Sequence, residues 1–84
     1  MHPHLTFMNV YLQGSNVYIK NISDKVDDDT LRERFDEFGN ITSVKIMRDD
    51  KGISKGFGFV CYATPDEANC AVGNMRGNPL FFFH

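Results

Sequence analysis

The stretch that most constrains this chain is Lys55-Gly56-Phe57-Gly58-Phe59-Val60-Cys61-Tyr62. As an extended strand it presents two faces with period two. One face carries Lys55, Phe57, Phe59 and Cys61, and the other carries Gly56, Gly58, Val60 and Tyr62. If the phenylalanines turned to a core, water would meet only Gly, Gly, Val and Tyr. If they turn outward, the inner face offers two glycines where a helix can pack closely, followed by Val60 and Tyr62. The second arrangement leaves two exposed rings beside a lysine, and that surface needs a use. Stacking nucleic-acid bases on the rings, with the lysine on phosphate, is such a use. The competing reading is a buried hairpin strand that is Phe-rich by chance.

Eighty-four residues make one small domain. At 42% hydrophobic and 24% charged the chain can build a modest core and stay soluble. It has no apolar run of membrane-spanning length and no basic-then-apolar N-terminal signal. Two cysteines without close spacing give neither a disulfide framework nor a zinc pattern, so a reducing compartment fits. The net charge of −2 is an objection to nucleic-acid binding that position answers. Seven of the eleven acids (Asp24, Asp27, Asp28, Asp29, Glu33, Asp36 and Glu37) fall in one expected loop and helix. Asp66 and Glu67 begin a second helix, and Asp49 and Asp50 lie in a turn. The expected strands hold Lys20, Lys45, Arg48 and Lys55 and no acid, so the sheet keeps a locally positive face.

In chain order, residues 1–15 have Phe7, Val10, Tyr11 and Leu12 to lay against the domain. His2, Pro3 and Gly14 nevertheless point to a mostly loose lead-in, with the domain proper at 16–84. Asn9-Val10-Tyr11-Leu12 echoes Asn16-Val17-Tyr18-Ile19, which we read as chance similarity in a short apolar tail. His2 and His4, without further ligands, read as solvated side chains. Asn16 to Ile22 alternates as a strand, with Val17 and Ile19 inward and Tyr18 and Lys20 on the face of Phe57 and Phe59.

Asp24 to Gly39 reads as a helix capped by Asp27, with Asp28 and Asp29 at the positive end of its dipole. Its apolar stripe is Leu31, Phe35 and Phe38, and Gly39 reads as a left-handed residue just past its end. Ile41 to Arg48 is a strand with Val44 and Ile46 inward and Ser43, Lys45 and Met47 outward. Asp49-Asp50-Lys51-Gly52 is turn chemistry, and Lys51 sits on a loop able to close over a bound strand. Thr64-Pro65-Asp66-Glu67 opens a helix with a capping box and proline in the first turn. Its stripe of Ala68, Ala71, Val72 and Met75 suits close packing on Gly56 and Gly58. Pro79 to Phe83 is a short last strand that would put Phe81 on the aromatic face. The order strand, helix, strand, strand, helix, strand is the α+β, ferredoxin-like βαββαβ pattern: a four-stranded antiparallel sheet, order 4-1-3-2, with two helices on one face.

The octamer 55–62 matches the K/R-G-F/Y-G/A-F-V-x-F/Y signature at every position, so the chain resembles the RNA-recognition motif. Tyr18 stands at the aromatic second position of that family's hexamer. Gln13 to Asn21, Phe38 to Ser43, Ser54 to Cys61, Thr64 to Ala68 and Pro79-Leu80 are similar to the cytoplasmic poly(A)-binding family, best to the third or fourth motif of its tandem array. The resemblance implies binding of adenine-rich single-stranded messenger RNA on the sheet face by a monomeric module in the cytoplasm and the nucleus. It also implies partners in translation and mRNA stability, no membrane and no cofactor. By position, Tyr18, Phe57 and Phe59 would stack bases and Lys20, Lys45 and Lys55 would meet phosphate or base edges, with Met47, Lys51 and Phe81 as further RNA-binding candidates.

Two departures stand out. Only Gly77 and Asn78 separate Arg76 from Pro79, and the chain stops at His84, so the last strand is expected to be short or frayed and the chain a fragment or truncated relative of an array. The alternative function is a protein-interaction module of the same fold with weak or no RNA binding, using the Phe-rich sheet or the acidic first helix. An acylphosphatase-like enzyme would need an arginine-bearing phosphate loop after the first strand, and Asn21-Ile22-Ser23-Asp24 offers neither arginine nor glycines. The chain is therefore not expected to be an enzyme.

Overall fold

The computed structural model describes residues 9–75. Four strands, β1 (Asn9–Gln13), β2 (Asn16–Lys20), β3 (Ile41–Arg48) and β4 (Ser54–Tyr62), form one antiparallel sheet in the order β1-β2-β4-β3. Helices α1 (Asp28–Phe35) and α2 (Pro65–Met75) cover one face. This is the α+β, ferredoxin-like architecture expected, with the core on the helix side only.

That core follows from alternation. Val10, Val17, Ile19, Ile46, Val60 and Tyr62 point from the sheet to Leu31 and Phe35 of α1 and to Ala68, Ala71, Val72 and Met75 of α2. Their strand neighbours face the other way, because successive side chains alternate across a strand.

The helices start where their caps say. Asp27 accepts a hydrogen bond from the Thr30 N–H at 2.8 Å, and the Thr30 side chain above all, with that amide, holds its carboxyl below the usual range. Asp28, the first residue of α1, accepts from the Ile46 N–H at 3.0 Å and ties the helix to the free edge of β3. At α2 the capping box is complete: the Thr64 hydroxyl accepts from the Glu67 N–H, and the Glu67 carboxylate accepts from the Thr64 N–H at 3.1 Å. Glu67 also accepts from the Asn40 N–H at 3.2 Å, the main reason its carboxyl is held low.

Three expectations change. The first concerns the lead-in: residues 9–13 are not loose. Asn9–Gln13 pairs along its whole length with β2, from Asn9 opposite Lys20 to Gln13 opposite Asn16, and Val10 is buried. A two-residue loop joins the strands, with Gly14 at φ 63 and Ser15 outside the left-handed region. That is the type II′ pattern, whose twist suits a hairpin. The Ser15 carbonyl accepts from the Tyr62 N–H at 2.9 Å and pins the loop to the end of β4. Hence β2 is flanked by β1 and β4, and the edge assigned to Pro79–Phe83 is held by residues 9–13. The expected last strand and its short connection lie outside the described residues.

The second concerns Gly39. The chain leaves α1 through a 3-10 turn, Asp36–Phe38, and Gly39 follows with φ 159 and ψ −171, a positive φ that favours glycine but not the left-handed helical conformation. Its lack of a side chain also serves a close approach: a Cβ there would lie 2.5 Å from the Glu67 Cβ. The third concerns Gly56 and Gly58, whose role is not helix packing. A Cβ on Gly58 would overlap the Lys45 carbonyl oxygen and lie 2.9 Å from the Ile46 Cα, both backbone atoms of the neighbouring strand. Gly56 has φ 84, and its carbonyl accepts from the Ile22 N–H at 2.9 Å where the chain leaves β2.

Candidate nucleic-acid interface

Helices fill one side of the sheet, so the side chains of opposite parity form a second surface. Cross-strand register arranges it in rows. Tyr11 lies opposite Tyr18, Tyr18 opposite Phe59, and Phe59 opposite Lys45, so one row crosses all four strands. The next row holds Asn9, Lys20 and Phe57. On the far side are Gln13, Asn16, Cys61 and Ser43.

The rings of this face are open to solvent. Tyr18 is 38% and Phe57 43% exposed, and Phe59 is half-buried between its neighbours. The Tyr18 and Phe59 ring centroids are 6.4 Å apart with planes tilted by 53°, within the range of favourable aromatic pairs. The pair thus orients itself without help from the core. Gly58, Val60 and Tyr62, between and beyond the phenylalanines, are buried, which settles the parity of β4.

Charge is arranged as the rows require. The four strands carry Lys20, Lys45, Arg48 and Lys55 and no carboxylate. Lys45 is exposed at the β3 end of the aromatic row, and Met47 is half-buried two residues on, where the β3–β4 register shifts. Lys55 is exposed on β4 just before Gly56, whose φ is 84. Lys51 sits in the β3–β4 turn, off the strands that bear the rings.

That turn is more organised than a flexible loop would be. The Asp49 carboxylate accepts from the Lys51 N–H at 2.8 Å and the Ile53 N–H at 2.9 Å, and Arg48 donates to the Gly52 carbonyl at 3.2 Å. The Ile53 amide above all, with the Lys51 amide, the Lys55 charge and the Gly52 amide, holds the Asp49 carboxyl below its usual range.

Of the expected residues, Tyr18, Lys20, Lys45, Phe57 and Phe59 come together in adjacent rows. Phe81 lies outside the described residues. Lys20 does not stand free: its Nζ is 5.5 Å from the centroid of the Tyr11 ring, a cation–π distance. Tyr11 itself was missed. It is 46% exposed on the same face, and Gly14-Ser15 between two Asn-Val-Tyr runs was the signal that could have found it. Among the described residues no three His, Cys, Asp or Glu side chains gather to hold a metal, and no helix is long and apolar enough to cross a membrane.

Comparison with known proteins agrees with this geometry. Residues 17–81 match the family model described as RNA recognition motif. Polyadenylate-binding protein 5 of Arabidopsis thaliana is 53% identical over 69 residues, covering 82% of this chain and 10% of the relative. The polyadenylate-binding protein, cytoplasmic and nuclear, of Eremothecium gossypii is 49% identical over 74 residues, covering 82% of this chain and 13% of the relative. The chain therefore spans about a tenth of the length of these relatives. Among solved structures, the first two RRM domains of yeast poly(U)-binding protein superpose with a TM-score of 0.70 and 36% identity, over 74% of this chain and 38% of that one. The SXL-lethal protein/RNA complex superposes with a TM-score of 0.68 and 33% identity, over 71% and 36%. With the matched signature strands, the helix-covered sheet and these relatives in agreement, this chain belongs to the RNA recognition motif family.

Proposed function

We propose that this domain binds single-stranded RNA on its open sheet face, with a preference for adenine-rich messenger RNA, and carries out no catalysis. The observation that carries the reading is the Tyr18–Phe59 pair, 6.4 Å between centroids, with exposed Phe57 in the next row of a face whose strands hold lysines and no acid. Two or three bases stack on such rings, a common mode for sheets of this family. Lys45, at the end of the row, meets the phosphate, as do Lys55 and, once released from Tyr11, Lys20. The adenine preference is supported by the names of the polyadenylate-binding relatives, as are activity in the cytoplasm and nucleus and a role beside translation and mRNA-stability proteins. In this reading the module acts as a monomer.

A titration of labelled oligo(A), oligo(U) and oligo(C) at low and high salt tests the proposal. Tightest binding to oligo(A), weakening with salt, is the expected result. Equal affinity for all three would remove the adenine preference and leave RNA binding. Absence of binding at both salts would transfer the open face to a protein partner.

A further inference from the structure

We infer that β1 adds one more nucleotide subsite to the open face, with the Tyr11 ring as its stacking platform and Lys20 as its cation. The inference rests on the RNA-binding reading above and extends it to a strand outside the matched signatures.

Three observations carry it. Tyr11 is 46% exposed on a five-residue strand whose packing is done by Val10, so the ring is not spent on the core. Register places Tyr11 directly opposite Tyr18, as Tyr18 is opposite Phe59. Neighbouring strands lie about 4.8 Å apart, so the step from Tyr18 to Tyr11 repeats the step from Phe59 to Tyr18. A nucleotide strand crossing the row can continue onto β1 with the same stride. Finally, the Lys20 ammonium lies 5.5 Å from the Tyr11 centroid, within reach of the phosphate of a nucleotide stacked there. In the free protein the cation and the ring orient each other. In the complex Lys20 turns to the phosphate and the base takes its place on the ring, since stacking outweighs an exposed cation–π contact.

The alternative is that Tyr11 merely fills a cross-strand pair, and oligonucleotide length separates the two. The full chain and its Tyr11→Ala and Tyr11→Phe variants are titrated with oligo(A) lengthened one nucleotide at a time, with thermal melts confirming folding. The subsite predicts that Tyr11→Ala binds the shortest competent oligomers as the parent does. It then misses the last gain in affinity with length, ending about 5- to 150-fold weaker on long oligomers. Tyr11→Phe, which keeps the ring, retains that gain. Equal loss at every length would make Tyr11 a support for Tyr18, and no loss at any length would make it a bystander; either overturns the subsite. If the parent binds no oligomer, the RNA reading itself has failed. If the parent binds and Phe59→Ala does not while Tyr11→Ala is unaffected, only the subsite has failed.

Discussion

The Tyr62 hydroxyl donates a 2.6 Å hydrogen bond to the Phe35 carbonyl, joining the buried end of β4 to the last residue of α1. The bond ties the buried phenol to the point where α1 passes into the Asp36–Phe38 turn. Burial, the largest cause, pushes the Tyr62 hydroxyl well above the ordinary tyrosine value, with nearby negative groups such as Asp36 and Glu67 adding to it.

The direction of that shift dictates an alkaline limb. The folded state keeps the Tyr62 proton at a pH where the unfolded chain, with an ordinary tyrosine, has lost it. The stability tied to this group is complete below about pH 10 and falls as pH rises beyond it. Tyr62→Phe is expected to cost about 0.5–1.5 kcal/mol at neutral pH and to flatten the decline above pH 10. Denaturant melts from neutral to alkaline pH would show it, and an equally steep decline in the variant would contradict it.

Gly58 provides a test of the sheet. A Cβ there meets the backbone of Lys45 and Ile46, which no side-chain rotation relieves. Gly58→Ala is therefore expected to cost about 1–3 kcal/mol by forcing β3 and β4 apart, as overpacking does. Gly73→Ala is the control, since nothing lies within 4 Å of a Cβ at Gly73. Similar melting temperatures for the two variants would refute the close-approach account.

Much of this was legible in the sequence, and each failure has a physical reason. The parity of β4 could be read because Phe57-Gly58-Phe59-Val60 puts incompatible residues on its two faces. Asp27 and the Thr64–Glu67 box could be read because caps act within a few residues. The glycines misled because their roles depend on partners far along the chain: Gly39 meets Glu67 and Gly58 meets Lys45. The strand at residues 9–13 was lost for a different reason. Flanking histidines and a proline mask the Gly-Ser turn, while the repeated Asn-Val-Tyr lets both strands bury their valine and expose their tyrosine. Tyr11 and its contact with Lys20 went with it.

Charge and stacking separate cleanly by mutation. Lys45 is exposed at the end of the aromatic row, opposite Phe59. Lys45→Ala is expected to weaken RNA binding across all sequences and to lower the slope of log affinity against log salt by about 0.7 for a single strand. Lys51→Ala, off the sheet in the turn, is expected to change the slope less. Equal slopes for Lys45→Ala and the parent would remove Lys45 from the phosphate path.

Phe59 stands in the middle of the row on which RNA is proposed to stack, opposite both Tyr18 and Lys45. The most direct measurement is the affinity of Phe59→Ala for oligo(A) against that of the parent, with thermal melts of both. Stacking on the Phe59 ring predicts a loss of about 1–3 kcal/mol, roughly 5- to 150-fold, with the fold retained. Unchanged affinity in a folded Phe59→Ala protein would contradict it.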